Sequence, residues 1–258
     1  MTHKLPRMKV LILTLLMAFM ELSALPAAFL GQITFKDINP MYFTLMLNFI
    51  LALLICWLCQ KFWIKSLKFG LQKSGLFSGL KRFGLPAVIA TLAVAITFCI
   101  GLAPFDNQPS FWRVFIEGIV YYVGVALVEE VYLRGLLQNL LEDCFENSQN
   151  AVLYAILITS FLFGFGHVFG ALGQPLGTII CKTVWAMALG VYLGSVYVKT
   201  RNLWVPIVLH FVIDLCGIPF CFSTSNQYPQ IALVTSLVAY VLLGIYGLSL
   251  LKKQGLKN

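Results

Sequence analysis

Three short runs of this chain carry residue types that could do chemistry together. They are Glu129-Glu130-Val-Tyr-Leu-Arg134, Phe163-Gly-Phe-Gly-His167 and His210-Phe-Val-Ile-Asp214. A carboxylate can take a proton from water, and an imidazole can hold that water or meet a developing negative charge. Spacing separates the two glutamates. Glu130 and Arg134 stand four residues apart, on one helix face, where they can neutralise each other. Glu129 lies about 100° further round the helix. Its face carries Val125, Ala126 and Tyr132 and no basic residue. Glu129 is therefore the candidate for direct chemistry, and Glu130 with Arg134 the candidate structural ion pair.

The chain has three histidines, one of them at position 3. Phe163 precedes His167 by one helical turn, so its ring can wall the imidazole, while Gly164 and Gly166 let a second helix come close. Asp214 follows His210 by one turn, where it could fix the tautomer and orientation of the imidazole. Pro206 suits the first turn of the helix that carries them.

These residues stand out against what surrounds them. A charge at the middle of a membrane helix costs roughly 2.5–3.5 kcal/mol, so such residues pair, face a cavity, or work. Two histidines, the carboxylates and an ion pair on three apolar segments predict one shared site. Glu21, Glu117 and Lys182 are single charges that can snorkel or pair, and no role is assigned to them.

The elements that must position the site follow from composition. Of 258 residues, 60% are apolar and 11% charged, against about 25% charged in an ordinary soluble domain. A mean hydropathy of +0.88 leaves too little polar surface to cover a water-soluble globule. Apolar runs of about 20 residues match the ~30 Å hydrocarbon core. The fold class predicted is all-α, a polytopic transmembrane helical bundle of about eight spans, at 10–30, 41–60, 86–105, 115–141, 151–172, 176–198, 203–222 and 230–251. The first span follows His3, Lys4, Arg7 and Lys9 and has the look of a signal peptide. Glu21 and an unsuitable cleavage site near Ala24 favour a retained helix.

Most of the 18 Lys and Arg residues fall in segments that share one side if both termini are cytoplasmic, leaving Lys36 and Arg113 outside. The expected orientation is N-in, C-in. The net charge of +8 is thus topological, and no nucleic-acid partner is expected. The basic stretch 61–85 reads as an interfacial linker on anionic lipid. Glu142, Asp143 and Glu146 form an acidic inner loop without an assigned function. The seven cysteines, including the Cys56-Trp-Leu-Cys59 spacing, read as buried thiols without redox or metal duty.

Taken in order, Glu129-Glu130-x-x-x-Arg134, Phe163-x-x-x-His167 and His210-x-x-x-Asp214 resemble the motifs of the CAAX-prenyl endopeptidase and bacteriocin-processing (CPBP, or Abi) family of intramembrane proteases. The run Asn202-Leu-Trp-Val-Pro before His210 looks like the family's lead-in to its last motif. The resemblance covers residues 112–217 as the protease core. Residues 1–111 would then be N-terminal helices with the basic linker, and 218–258 a last helix with a basic tail.

What the resemblance implies is an endopeptidase acting within the membrane. Glu129 would be the general base, His167 would help hold the water, and His210 with Asp214 would lie near the oxyanion. Glu130, Arg134 and Phe163 would support them. Some eukaryotic-type members have Asn where this chain has Asp214. An ionised Asp cannot donate to an oxyanion, so Asp214 must be protonated, orient His210, or bind a metal. No cofactor is certain; two His with Glu and Asp would suit Zn²⁺ in a metalloprotease, although neither histidine sits in a local chelate such as HExxH. The implied substrate is a membrane-associated peptide or protein, either a CAAX-type tail or a leader or bacteriocin-like peptide. The implied location is a bacterial cell membrane, with the bilayer as the other partner.

Two other readings use the same residues. One is an immunity or binding protein that keeps the fold without cutting. The other is a small transporter with Glu129, His167, His210 and Asp214 as a proton relay. Depth counting adds a constraint: entering from the inner face near Ala151, His167 lies about 24 Å in and close to the outer face, while His210 lies only about 10 Å from the inner face. A shared site therefore needs tilted or broken helices.

Overall fold

A computed structural model describes residues 70–101, 111–222 and 228–252, with isolated positions at 12, 49, 50, 53, 54 and 57. Among these residues every regular element is helical. The two expected N-terminal spans lie outside them, and with them Glu21, the Cys56–Cys59 spacing and the count of eight.

The first described long helix, α1 (Leu76–Ile100), starts after Gly75. It begins ten residues before the expected span at 86–105, so the second half of the supposed 61–85 linker is helix. Lys81 and Arg82 are exposed on it, with stems long enough to carry their charges to water. Helix α2 (Phe111–Glu130) runs without a break into a π-helix at Val131–Gln138 and a short α3 (Asn139–Cys144). Then come α4 (Ala151–Phe169) and α5 (Leu176–Thr200). The expected span at 203–222 is two pieces, α6 (Trp204–Asp214) and a 3-10 helix at Leu215–Phe222. Helix α7 (Gln230–Lys252) closes the described chain.

Four of these helices, α1, α4, α5 and α7, are long and apolar enough to cross a membrane. Their exposed faces are apolar too. Leu85, Ile89, Leu92 and Ile96 point outward along α1, as do Val234, Val238, Leu242 and Ile245 along α7. The opposite face of α1 buries Ala87, Ala90, Val94 and Phe98. A protein this apolar outside as well as inside has lipid for its solvent. It is an integral membrane protein.

Helix α5 packs against both α4 and α7, while α1 lies on α7, α6 and the 3-10 helix. The α4–α5 crossing is close because glycines meet backbone. A Cβ on Gly190 would sit 2.9 Å from Ser160 Cα, and one on Gly164 2.6 Å from the Thr183 carbonyl oxygen. Gly164 thus has the close approach expected of it.

The loop from α5 into α6 is stitched to the segment ahead of α1. Leu203 N donates to the Gly70 carbonyl at 2.8 Å, Asn202 Nδ2 to the Ser74 carbonyl at 2.9 Å, and Gln72 Nε2 to the Arg201 carbonyl at 3.3 Å. Gly70 has φ of 71°, a conformation glycine takes without strain. The same Asn202 accepts from Trp204 N at 3.1 Å, satisfying a donor at the start of α6. Of the acids expected in an inner loop, Glu142 lies in α3 and pairs with Arg201 at 2.8 Å.

Candidate active site

The site begins where α2 changes its winding. All eight residues of the π-helix are buried. A π turn leaves its carbonyls with shifted partners, and π segments are frequent at functional sites. Asn139 meets that demand, donating from Nδ2 to the carbonyls of Arg134 at 3.1 Å and Gly135 at 2.7 Å. Its side chain also lies 2.8 Å from the Tyr197 hydroxyl.

Within this segment Arg134 Nη1 lies 2.7 Å from Glu130 Oε1, with both side chains 0% exposed. Arg134 Nη2 donates to the Gly190 carbonyl at 3.2 Å. One turn on, Gln138 Nε2 reaches the Gly194 carbonyl at 3.4 Å. The polar side chains of the π-helix therefore rest on carbonyls of the small-residue stripe of α5, where no side chain holds them away.

Helix α6 brings His210 to the same oxygen. His210 Nδ1 lies 2.8 Å from Glu130 Oε1. A carboxylate ion-paired to Arg134 can only accept, so Nδ1 carries the proton and donates it. This corrects the expected partner: Glu130, and not Asp214, fixes the tautomer. Asp214 Oδ2 lies 3.6 Å from the other nitrogen, Nε2, too far for a hydrogen bond. Glu129 Oε2 lies 3.6 Å from Nε2 as well. The two glutamates thus address opposite sides of one imidazole. Glu130 is sealed in, while Glu129 is 29% exposed and opens on a cavity.

That cavity has a volume of about 550 Å³ and is lined by Glu129, His167, His210 and Asp214 together. His167 Nδ1 donates to the Phe163 carbonyl at 2.9 Å, folding the imidazole back along α4. The Phe163 ring stands between the histidines, 4.7 Å from His167 and 5.6 Å from His210, edge-on to both. Its centre is also 5.1 Å from Arg134 Cζ. The depth mismatch expected from counting along the helices does not keep these four residues from meeting on one cavity.

Sequence reasoning passed over Lys182, which lines the same cavity; its Nζ lies 4.8 Å over the Tyr228 ring. The signal was present in the chain as a charge in an apolar helix. Cys216 and Tyr240 also line the cavity, with Sγ and the hydroxyl 3.2 Å apart.

Among the described residues no three His, Cys, Asp or Glu side chains are arranged to hold a metal ion. A metalloprotease is not supported by this arrangement.

Residues 110–216 match the family model described as type II CAAX prenyl endopeptidase Rce1-like. This stretch is similar to an Rce1-like domain. No curated protein and no solved structure matches the chain. The matched stretch runs from the start of α2 to the first residues of the 3-10 helix. It holds every candidate residue named above and points to a CAAX-type protease of the membrane. Helices α1 and α7 lie beyond the match, and both pack on it.

Proposed function

We propose that the Rce1-like stretch hydrolyses a peptide bond in a membrane-delivered substrate, either a CAAX-type tail or a leader-like peptide. The observation that carries this reading is one imidazole held between Glu130 on its buried side and Glu129 and Asp214 on its cavity side. Glu129 takes a proton from water, and the hydroxide attacks the carbonyl carbon. The carbonyl π electrons move to oxygen, where His210, carrying a second proton on Nε2, meets the negative charge. Collapse breaks the C–N bond, and the proton held by Glu129 passes to the leaving amine. His167 positions the water, and Asp214, in its protonated form, completes the oxyanion side. Carboxylates act as stronger bases, and oriented donors count for more, where water is scarce. Glu130, Arg134 and Phe163 hold the geometry.

We also infer that the chain spans a bacterial cell membrane about eight times, from its apolar runs, with both ends inside, from its Lys and Arg distribution. Residues 112–217 are then the protease core between N- and C-terminal membrane helices.

The test compares peptide N-termini in native host membranes carrying wild type or Glu129→Gln. New termini seen with wild type alone are expected, and would name the substrate. Identical termini at equal protein levels would overturn the reading in favour of a binder that does not cut.

A further inference from the structure

Lys182 lies about 9 Å along α5 from its first residue, and two readings compete for it. A lysine so placed could run its stem outward to lipid headgroups. The lipid face of α5 is marked by Leu176, Ile180 and Val184, all exposed. Lys182 is two residues from both Ile180 and Val184, about 200° round the helix, and so on the opposite face. That face continues through Trp185, Ala186 and Leu189, which line the cavity with it. The amine turns inward, and the Tyr228 ring under it is itself set by Trp185, at 6.2 Å, and Phe98, at 5.6 Å. Among the described residues Lys182 makes no ion pair with a carboxylate.

A cation held inside a membrane cavity beside a candidate protease site, with an aromatic ring and no acid against it, is complementary to an anion brought by the substrate. A peptide tail with apolar side chains carries one charge it cannot shed, its terminal carboxylate. Taking that group into an apolar cavity is unfavourable unless it is paired. A cavity of about 550 Å³ takes a few residues, which is the scale of a chain end. We propose that Lys182 is a specificity-determining residue that binds the free α-carboxylate at the end of the substrate. This inference rests on the proposed peptide hydrolysis and deepens it.

The test uses the full-length protein in nanodiscs. The probes are one peptide made as free acid, as carboxamide, and as carboxamide with a terminal Glu. Hydrolysis by wild type is followed, and binding is followed separately with Glu129→Gln. The free acid should have a KM at least about tenfold below that of the carboxamide. Lys182→Met should raise it to the carboxamide value, and Lys182→Arg should restore much of the preference. Equal handling of acid and carboxamide by wild type, or equal loss on both with Lys182→Met, overturns the proposal. Equal handling of the free acid and the Glu-ended carboxamide overturns the α-carboxylate in favour of any carboxylate. If wild type cuts no probe while Glu129→Gln binds the free acid in preference, the carboxylate site stands and the hydrolysis fails. Binding without preference overturns the site whatever the hydrolysis does.

Discussion

His210 and Glu130, 80 residues apart in the chain, are joined Nδ1 to Oε1 at 2.8 Å, on the oxygen that also takes Arg134 at 2.7 Å. One buried carboxylate therefore serves two masters. It neutralises a guanidinium on its own helix and sets the tautomer of an imidazole on another.

That double duty separates stability from activity. Arg134→Met should lower stability by about 3–5 kcal/mol, because it leaves Glu130 as a buried charge that has lost its partner. Glu130→Leu with Arg134→Met removes both charges and should recover much of the loss in thermal unfolding. Activity should not return with it, since His210 has lost its acceptor. A double variant that regained turnover would show that Glu130 does not orient His210.

Asp214 sits beyond hydrogen-bond reach of His210, so its substitution should be felt in rate more than in folding. Asp214→Asn supplies an N–H donor on the cavity side and should turn over at least about tenfold faster than Asp214→Ala. Thermal unfolding of the two should coincide. Equal rates for Asn and Ala would remove Asp214 from the oxyanion side.

Phe163 touches both imidazoles and lies under Arg134. Phe163→Leu keeps an apolar side chain and removes the ring, at a loss of about 0.5–1.5 kcal/mol per aromatic pair. The expected signature is a lower kcat with KM held, read from initial rates. A raised KM with kcat unchanged would make Phe163 part of the substrate pocket instead.

Gly190 lies where α4 and α5 cross, and its carbonyl takes Arg134. Gly190→Ala places a methyl against Ser160 backbone and should cost about 1–3 kcal/mol by overpacking, seen as a lower Tm in detergent. A matching fall in activity should follow, because displacing the carbonyl moves the brace.

The residues of the site were legible in the chain because charge is conspicuous in an apolar helix, and i,i+4 pairs announce themselves. Glu130 with Arg134 is one such pair. The link from Glu130 to His210 was not legible. Local spacing offered Asp214 as the partner of His210, and a single sequence ranks only neighbours along a helix. Lys182 was set aside because a lone charge has no spacing to interpret. The π-helix was invisible for another reason. Val131 to Gln138 are buried on every side, and the spacing of Glu130, Arg134 and Gln138 is that of an ordinary α-helix. Three of the long helices, α4, α5 and α7, match expected spans, since length and hydropathy suffice for that. The start of α1 did not, because Lys81 and Arg82 look like the end of a membrane segment even though they stand on its helix.

The hydrogen bonds that Leu203 and Asn202 donate to the Gly70 and Ser74 carbonyls bear on how this protein can be dissected. They tie the chain ahead of α1 to the turn that launches the helix of His210. The stretch that carries the chemistry is thus not a portable cassette. A graft of residues 110–216 into a foreign scaffold would leave that turn without its fasteners, and the imidazole would inherit the slack.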